Sequence, residues 1–164
     1  MWESGEVKMR VFVGVDPGAK GGYAIIREEL DGEINVLCKA WDAVEFVADM
    51  EELATDSRCI GWNVVAAVEK VGARPGQGVT SMYSFGKSCG YIEGVLAANK
   101  IGYQLVPPRV WKKAFSLNND KKLSIEVCKR LFPNVDLRAT ERCRTDSDGK
   151  AEALLLAAYA RRNL

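Results

Sequence analysis

The sequence predicts an α/β protein with a central mixed sheet of five strands flanked by helices. Three apolar runs divided by turn residues open the chain and predict two successive hairpins. Helical periodicity then alternates with two further apolar runs, an order typical of α/β folds. The last helical stretch is apolar nearly all round between residues 151 and 160, which predicts a helix buried on most of its surface.

The first three strands follow from β-branched and aromatic runs. Residues 11–15 (VFVGV) predict a buried strand that ends at Asp16, where a Pro-Gly pair stops regular structure. A glycine-rich turn leads to a second strand at 23–26, and an Asp-Gly turn leads to a third at 33–40. The fourth strand (62–68) ends at Glu69, and the fifth (101–106) is stopped by a Pro-Pro pair.

Helices occupy the remaining periodic segments. Residues 42–55 carry apolar side chains at helical spacing with acids between them, and residues 80–99 carry many glycines and other small residues. Glycine inside a helix costs about 1 kcal/mol relative to alanine, so we expect that second helix to approach another helix closely, either within the domain or across a dimer. It is the candidate dimer interface. The five predicted helices cover residues 42–55, 80–99, 109–115, 119–132 and 148–162. Glycine- and proline-rich residues 70–78 and polar residues 136–145 are predicted loops.

Composition limits the kinds of site. The 164 residues are 48% hydrophobic and 27% charged, ordinary values for a globular protein. We expect one domain at 10–164 after an N-terminal extension at 1–9, because periodicity begins only at residue 10. The chain has no histidine, which excludes His-based triads and His metal sites, and its five scattered cysteines show no CxxC spacing. Any metal is therefore expected to be a hard cation held by oxygen, Mg²⁺ or Mn²⁺.

Location follows from what the sequence lacks. No apolar stretch approaches the roughly 20 residues that a membrane helix needs, and the polar, acidic N-terminus resembles neither a signal nor a transit peptide. We therefore expect no membrane association and a cytoplasmic location, in a bacterium or in a host infected by phage.

Charge is strongly polarised along the chain, although the net charge is only +1. Residues 28–56 contain ten acids and one base, whereas residues 109–150 contain eleven bases and six acids. A basic face of this kind is able to follow a phosphate backbone while the acidic face points away from it. A solvated surface would also produce charge runs, so this signal is modest alone.

Four carboxylates stand at the ends or starts of core elements. Asp16 ends the first strand, Glu69 ends the fourth, and Asp148 and Glu152 lie one turn apart on the final helix. If the two strands are parallel neighbours, their acids share one sheet edge, and the helix is placed to bring its pair over that edge. Acids that converge repel one another unless cations are bound. The pattern predicts a site for two Mg²⁺ or Mn²⁺ ions, an arrangement that hydrolyses phosphodiesters.

Each acid also has a purely structural interpretation. Asp16 satisfies turn amides in one alternative, and Asp148 caps the final helix in another. Glu69 is able to pair with a neighbouring base at a strand end. Asp146 competes with Asp148 for the third position.

Three motifs in this order resemble a known family. The stretches VGVDPGAKGGYAI, AVEK and DGKAEALLLAAYARR are similar to RuvC-type Holliday junction resolvases of the RNase H-like superfamily. LVPPRVWKKAF and the helix ending in LFP resemble the bacteriophage and chloroplast branch more than bacterial RuvC. The resemblance runs from about residue 10 to residue 162.

The resemblance implies a magnesium-dependent endonuclease that acts as a homodimer and nicks two strands of a four-way junction symmetrically, leaving 5′-phosphate ends. Asp16, Glu69, Asp148 and Glu152 match its metal-binding positions. The chain departs from bacterial RuvC in having Glu152 instead of aspartate and in spacing the last pair by four. In the chloroplast branch the position of Asp148 is a histidine, so the chain departs from that branch there.

Basic and polar residues around these motifs are predicted to bind DNA. The loop after the fourth strand offers Arg74 for phosphate and Gln77 for a base edge, although a flexible surface loop is the alternative. Trp111 is expected in the core. The predicted DNA-binding set is Arg74, Gln77, Lys87, Arg109, Lys112, Lys113, Lys121, Lys122 and Lys150.

Other functions remain open at this point. An RNase H-like nuclease acting on flaps or RNA–DNA hybrids needs the same acids, and a non-catalytic junction-binding protein needs only the basic surface. DPGAKGG also resembles the phosphate turn of actin-like ATPases, but those require a second domain, so we expect no nucleotide cofactor. Cleavage-sequence preference, the choice between Mg²⁺ and Mn²⁺, the host, and a partner helicase or packaging machinery have no sequence signal.

Overall fold

A single five-stranded sheet forms the centre of the protein. The computed structural model describes residues 9–73 and 75–164, so most of the predicted N-terminal extension and Arg74 lie outside the described residues. The strands run in the spatial order β3-β2-β1-β4-β5. Their bounds are β1 Met9–Asp16, β2 Gly22–Glu29, β3 Ile34–Ala40, β4 Asn63–Glu69 and β5 Gly102–Val106.

The sheet is mixed, as predicted. β1 pairs antiparallel with β2, and β2 with β3, so the opening of the chain is a three-stranded meander. β4 lies parallel to β1 on its other side, and β5 lies parallel to β4. Val15 is in register with Val68. The residues that follow them, Asp16 and Glu69, therefore leave the sheet at the same edge.

Five helices cover the two faces of the sheet. They are α1 Ala43–Ile60, α2 Val79–Ala98, α3 Pro108–Ala114, α4 Lys121–Leu131 and α5 Asp148–Asn163. Side chains alternate along β1, so Val11 and Val13 join the core formed with α1 and α2, whereas Phe12 joins the core formed with α3, α4 and α5. None of the helices in the described ranges combines the length and apolarity that crossing a membrane requires.

Helix α5 lies directly on β1. A Cβ added at Gly14 would stand 2.1 Å from the carbonyl oxygen of Ala153, and one added at Gly149 would stand 2.0 Å from that of Lys20. These distances leave no room for a methyl group, so glycine is required for the helix to reach the strand and the turn after it. The first turn of α5 is thereby held against the sheet edge where Asp16 emerges.

All ten predicted elements are present in the predicted order, with small differences at their ends. The largest concerns α1, which extends to Ile60 rather than to residue 55. It ends where Gly61 adopts a left-handed conformation with φ 76°, the usual way for a helix to stop.

Candidate active site

The four predicted carboxylates line a single cleft of about 550 Å³ at the edge of the sheet. The cleft also contains three lysines, one of them in the turn that follows β1. Its lining residues are Asp16, Pro17, Gly18, Lys20, Gly21, Glu69, Pro108, Lys112, Asn119, Lys121, Asp148 and Glu152. The structure therefore brings together acids from two strands and one helix that are far apart in sequence.

The start of α5 decides which acids of the final helix face the cleft. Ser147 caps the helix, because its hydroxyl accepts a hydrogen bond from the amide of Lys150 at 3.3 Å. Asp148 is thus the first helical residue and not the cap, and Glu152 follows one turn later. The competing Asp146 lies before the cap and pairs with Lys129 of α4 at 2.5 Å.

Lysines from α3 and α4 pair with the helix acids. Lys112 Nζ lies 3.4 Å from Glu152 Oε1, and Lys121 Nζ is ion-paired with Asp148. Ser124 Oγ also lies 3.4 Å from Glu152 Oε1, and Glu152 is only 6% exposed. A buried carboxylate needs such partners, so in the metal-free protein the lysines offset part of the negative charge of the cleft.

Asp16 shows the electrostatic strain of this arrangement. Burial raises its pKa from 3.8 to about 8, with further increases from the charges of Glu69 and Glu152 and a smaller opposing effect of Lys121. Lys121 shows the complementary effect, since its hydrogen bond to Asp148 raises the pKa of its ammonium group. The charges of Glu69 and Glu152 are therefore close enough to disfavour the ionisation of Asp16.

The donor atoms around the cleft suit a hard divalent cation. Asp16, Glu69, Asp148 and Glu152 offer only carboxylate oxygens, the ligands that Mg²⁺ and Mn²⁺ prefer. Burial and the neighbouring charges of Glu69 and Glu152 disfavour the ionised form of Asp16, and a bound cation would favour it. The residues present thus fit the predicted metal, and these four would hold it.

A second acidic group lies elsewhere, on the turn between β2 and β3. Among the described residues, this is the one group of three carboxylates that each offer an oxygen atom within 4.8 Å of the other two. It consists of Glu29, Asp31 and Glu33, all exposed. Asp31 Oδ1 accepts the amide of Glu33 at 2.9 Å, so a local turn explains the arrangement. Among the described residues the four cleft acids do not meet this distance criterion, and two of them are paired with lysines, Glu152 with Lys112 and Asp148 with Lys121.

Several predicted DNA-binding residues lie beside the acids. Arg109, Lys112 and Lys113 line a second cleft of about 850 Å³, and this cleft shares Lys112 with the first. Lys121 lines the acidic cleft itself. A cleft lined by basic residues therefore adjoins the carboxylate site.

The remaining predicted contacts are more scattered. Lys122 is exposed near the start of α4, and Lys87 is exposed on α2. Gln77 is half-buried in the loop after β4, and Arg74 of that loop lies outside the described residues. The three described residues of this set line neither cleft, and contacts of every predicted residue with DNA stay predictions.

The side chain of Lys150 is buried, and its ammonium group binds backbone carbonyls. It is 6% exposed, and its ammonium group donates to the backbone carbonyls of Asp136 at 2.7 Å and Arg138 at 2.9 Å. These bonds attach the loop before α5 to the helix. Because the ammonium group is engaged there, we leave Lys150 out of the DNA surface proposed below.

The indole of Trp111 makes a contact at the site that the sequence pattern does not predict. Trp111 is fully buried, as predicted, but its indole Nε1 also donates to Glu69 Oε1 at 3.1 Å. The apolar pattern identified the core position without revealing the acceptor, because the acceptor lies 42 residues away. The Pro-Pro pair that turns the chain after β5 was the available signal that the next helix returns toward the sheet edge.

Comparisons with known proteins give a clear result for the fold. No protein-family model and no curated protein matches the sequence. The Thermus thermophilus RuvC structure in complex with a Holliday junction substrate matches with TM-score 0.52 and 18% identity, over 94% of this chain and 96% of that one. A second T. thermophilus RuvC structure gives the same score and identity over 93% and 95%.

The yeast mitochondrial Holliday junction resolvase Ydc2 matches with TM-score 0.54 and 14% identity, over 92% of this chain and 77% of that one. At identities this low, the structural matches establish a shared fold. The mixed five-stranded sheet, its helices and these matches together show that the protein has the RuvC-type, RNase H-like fold.

Proposed function

We propose that the protein is a metal-dependent, structure-selective DNA endonuclease that resolves four-way junctions by paired, symmetrical nicks. One observation carries the proposal. Four carboxylates from β1, β4 and α5 line one cleft. The protein shares its fold with a RuvC that is bound to a Holliday junction substrate and with the Holliday junction resolvase Ydc2. The acids explain hydrolysis, and the fold and the adjoining basic cleft favour branched DNA as the substrate.

The chemistry follows from the charges of the cleft. Two divalent ions held by Asp16, Glu69, Asp148 and Glu152 would supply an activated water and neutralise charge on the phosphate. Lys112 and Lys121 are already at the cleft, paired with acids. When an anionic phosphate enters, these ammonium groups have a second partner, and the scissile group is held between them and the acids.

The basic cleft beside the acids is the proposed path of one DNA arm. Arg109 and Lys113 are exposed along it, and Lys112 joins it to the acidic cleft. Lys122 of α4, Lys87 of α2, and Arg74 and Gln77 of the β4–α2 loop extend the proposed surface. Phosphate contacts of this kind make affinity fall steeply with salt.

We propose that α2 forms the interface of a homodimer, because symmetrical nicking needs two sites on one junction. A Cβ added at Gly86, Gly90 or Gly94 would meet nothing within 4 Å, so this helix face is open in the monomer. Tyr83 and Tyr91 of the same helix are 71% and 42% exposed. An open, partly apolar face of this kind suits a second copy of the helix. Sedimentation should show a dimer that Gly90→Arg dissociates, and a monomeric wild-type protein would contradict the interface.

The decisive experiment is cleavage of a synthetic four-way junction with and without Mg²⁺ or Mn²⁺, with the cuts mapped on all strands. The wild-type protein should nick two strands at symmetrical positions only when metal is present. Glu69→Gln should reduce the rate at least a thousandfold while junction binding in a gel-shift assay stays within threefold. Glu33→Gln, at the exposed acidic turn, is the matched control and should cut like wild type.

A substrate panel separates the alternatives. Preferred cutting of flaps or RNA–DNA hybrids would replace the proposal with another RNase H-like nuclease activity. Tight junction binding without metal-dependent cutting would indicate a non-catalytic junction-binding protein. Since DNA is the proposed substrate, we propose that the protein acts in the cytoplasm of a bacterium, as a host or phage protein.

A further inference from the structure

We propose that Trp111 is a positioning residue that orients the carboxylate of Glu69 toward the metal ions. The inference rests on the proposed function, because it assigns Glu69 to the metal site. The observation is the hydrogen bond from the indole Nε1 of Trp111 to Glu69 Oε1 at 3.1 Å.

The path of the chain makes this contact a property of the fold. Glu69 is the last residue of β4, and it is in register with Val106, the last residue of β5. The amide of Lys70 donates to the carbonyl of Val106 at 2.8 Å, which joins the two strand ends. Pro107 and Pro108 then turn the chain into α3, and Trp111 stands one turn into that helix. The indole is therefore only five residues from the strand partner of Glu69.

Burial shows that the hydrogen bond is more than a surface contact. Trp111 is 0% exposed and belongs to the core between the sheet and α5. A buried indole N–H needs an acceptor, and here Glu69 supplies it. Phenylalanine would fill most of the same space without a donor. The donor, rather than the volume, thus links the core to the carboxylate.

The neighbouring residue strengthens the assignment. Lys112 lies 3.4 Å from Glu152 and 5.3 Å from the centre of the Trp111 ring. Adjacent residues of one short helix therefore contact the carboxylate at the end of β4 and the carboxylate on α5. Helix α3 holds two of the four proposed ligands in place from one side.

The expected consequence is tighter metal binding. A carboxylate whose rotamer is already fixed loses less side-chain freedom when it binds a cation. Removing a hydrogen bond that orients a ligand typically lowers metal affinity or activity by about 10–100-fold. We expect Trp111→Phe to raise the metal concentration for half-maximal cleavage about tenfold, with a rate at saturating metal close to wild type.

The test measures metal binding as well as cleavage. Mn²⁺ affinity is determined by calorimetry for wild type, Trp111→Phe and the control Trp62→Phe, which changes a half-buried tryptophan on the other face of the sheet. Trp111→Phe should bind Mn²⁺ about tenfold more weakly, and Trp62→Phe should match wild type. Equal affinities for all three folded proteins would overturn the inference.

A spectroscopic measurement covers the case in which Trp111→Phe does not fold. The chain has four tryptophans, so ¹⁵N-labelled protein gives four indole resonances that single Trp→Phe substitutions at the other three positions assign by elimination. The Trp111 resonance should shift when Mg²⁺ is added to wild type and should not shift in Glu69→Gln. A Trp111 resonance whose chemical shift stays the same when Mg²⁺ binds would refute the inference.

The outcomes separate the inference from the proposed function. Suppose that the wild type cuts junctions and binds metal, but that Trp111→Phe binds Mn²⁺ as tightly as wild type and the Trp111 resonance does not shift with Mg²⁺. In that case the inference alone fails. If the protein binds metal at Glu69 without cutting DNA, the proposed function fails while the binding and resonance measurements still decide the role of Trp111. A wild-type protein that binds no divalent metal would overturn both.

Discussion

Asp16→Asn should make the metal-free protein more stable while it abolishes metal-dependent cleavage. Burial and the charges of Glu69 and Glu152 raise the pKa of Asp16 to about 8 in the folded protein, against 3.8 ordinarily. The unfolded chain therefore loses the Asp16 proton at a lower pH than the folded protein does. Between about pH 4 and pH 8, rising pH favours unfolding, and the free energy of unfolding of metal-free wild type should fall.

The magnitude follows from the same two values. At pH 7 the linkage relation gives an upper limit of about 4 kcal/mol for the destabilisation caused by the ionisable group. Because Asp16 borders a solvent-filled cleft, we expect about half of this, on the order of 2 kcal/mol. For a chain of this length that gain corresponds to a melting temperature higher by about 4–8 °C.

Urea denaturation in EDTA between pH 5 and pH 8 measures the effect. The advantage of Asp16→Asn over wild type should be small at pH 5 and grow toward pH 8. Glu33→Gln is the control, and its stability should stay within about 0.5 kcal/mol of wild type. A variant no more stable than wild type at pH 8, or one with the same pH dependence, would show that Asp16 is not strained in the way described.

Three further substitutions test the framework that holds the cleft. Gly14→Ala forces a methyl group into the backbone of α5, so urea denaturation should show a loss of at least about 3 kcal/mol or no folded protein; near-wild-type stability would contradict the packing. Glu28→Gln breaks ion pairs with two arginines that lower the pKa of this carboxyl, so denaturation at pH 7 should show a loss of about 1 kcal/mol that fades as the pH falls below its ordinary value of 4.5; a loss independent of pH would point to packing instead. Lys150→Met removes both bonds to the preceding loop, so hydrogen exchange in residues 136–146 should accelerate at least tenfold; unchanged exchange would assign the order of that loop to other contacts.

The positions of the site acids were predictable because each lies at the end or start of a strong element. The apolar runs before Asp16 and Glu69 predict strands whatever the rest of the chain does. Once the strands are parallel neighbours, as Val15 and Val68 show, the two acids must meet at one edge. An acid in the otherwise apolar final helix, Glu152, marked the third element in the same way.

The partners of those acids were not predictable from local pattern. Lys112 and Lys121 looked like surface bases suited to DNA, and their pairing with Glu152 and Asp148 depends on where α3 and α4 pack. The bonds of Lys150 were not predictable for the same reason, because its carbonyl partners belong to a loop whose path the sequence does not specify.

The positions of the acids and their charge states have different physical origins. Strand register carries a carboxylate to the sheet edge through backbone hydrogen bonds, which are the same for any side chain. The charge state of that carboxylate depends instead on side chains of helices that come later in the sequence and pack against the sheet edge. At Asp16 the balance is unfavourable without a cation, whereas Asp148 and Glu152 each have a lysine in place. In the proposed site a divalent ion would therefore have its largest effect on Asp16, and Lys112 and Lys121, if released from the helix acids, would lie beside the cleft with their charge available to phosphate.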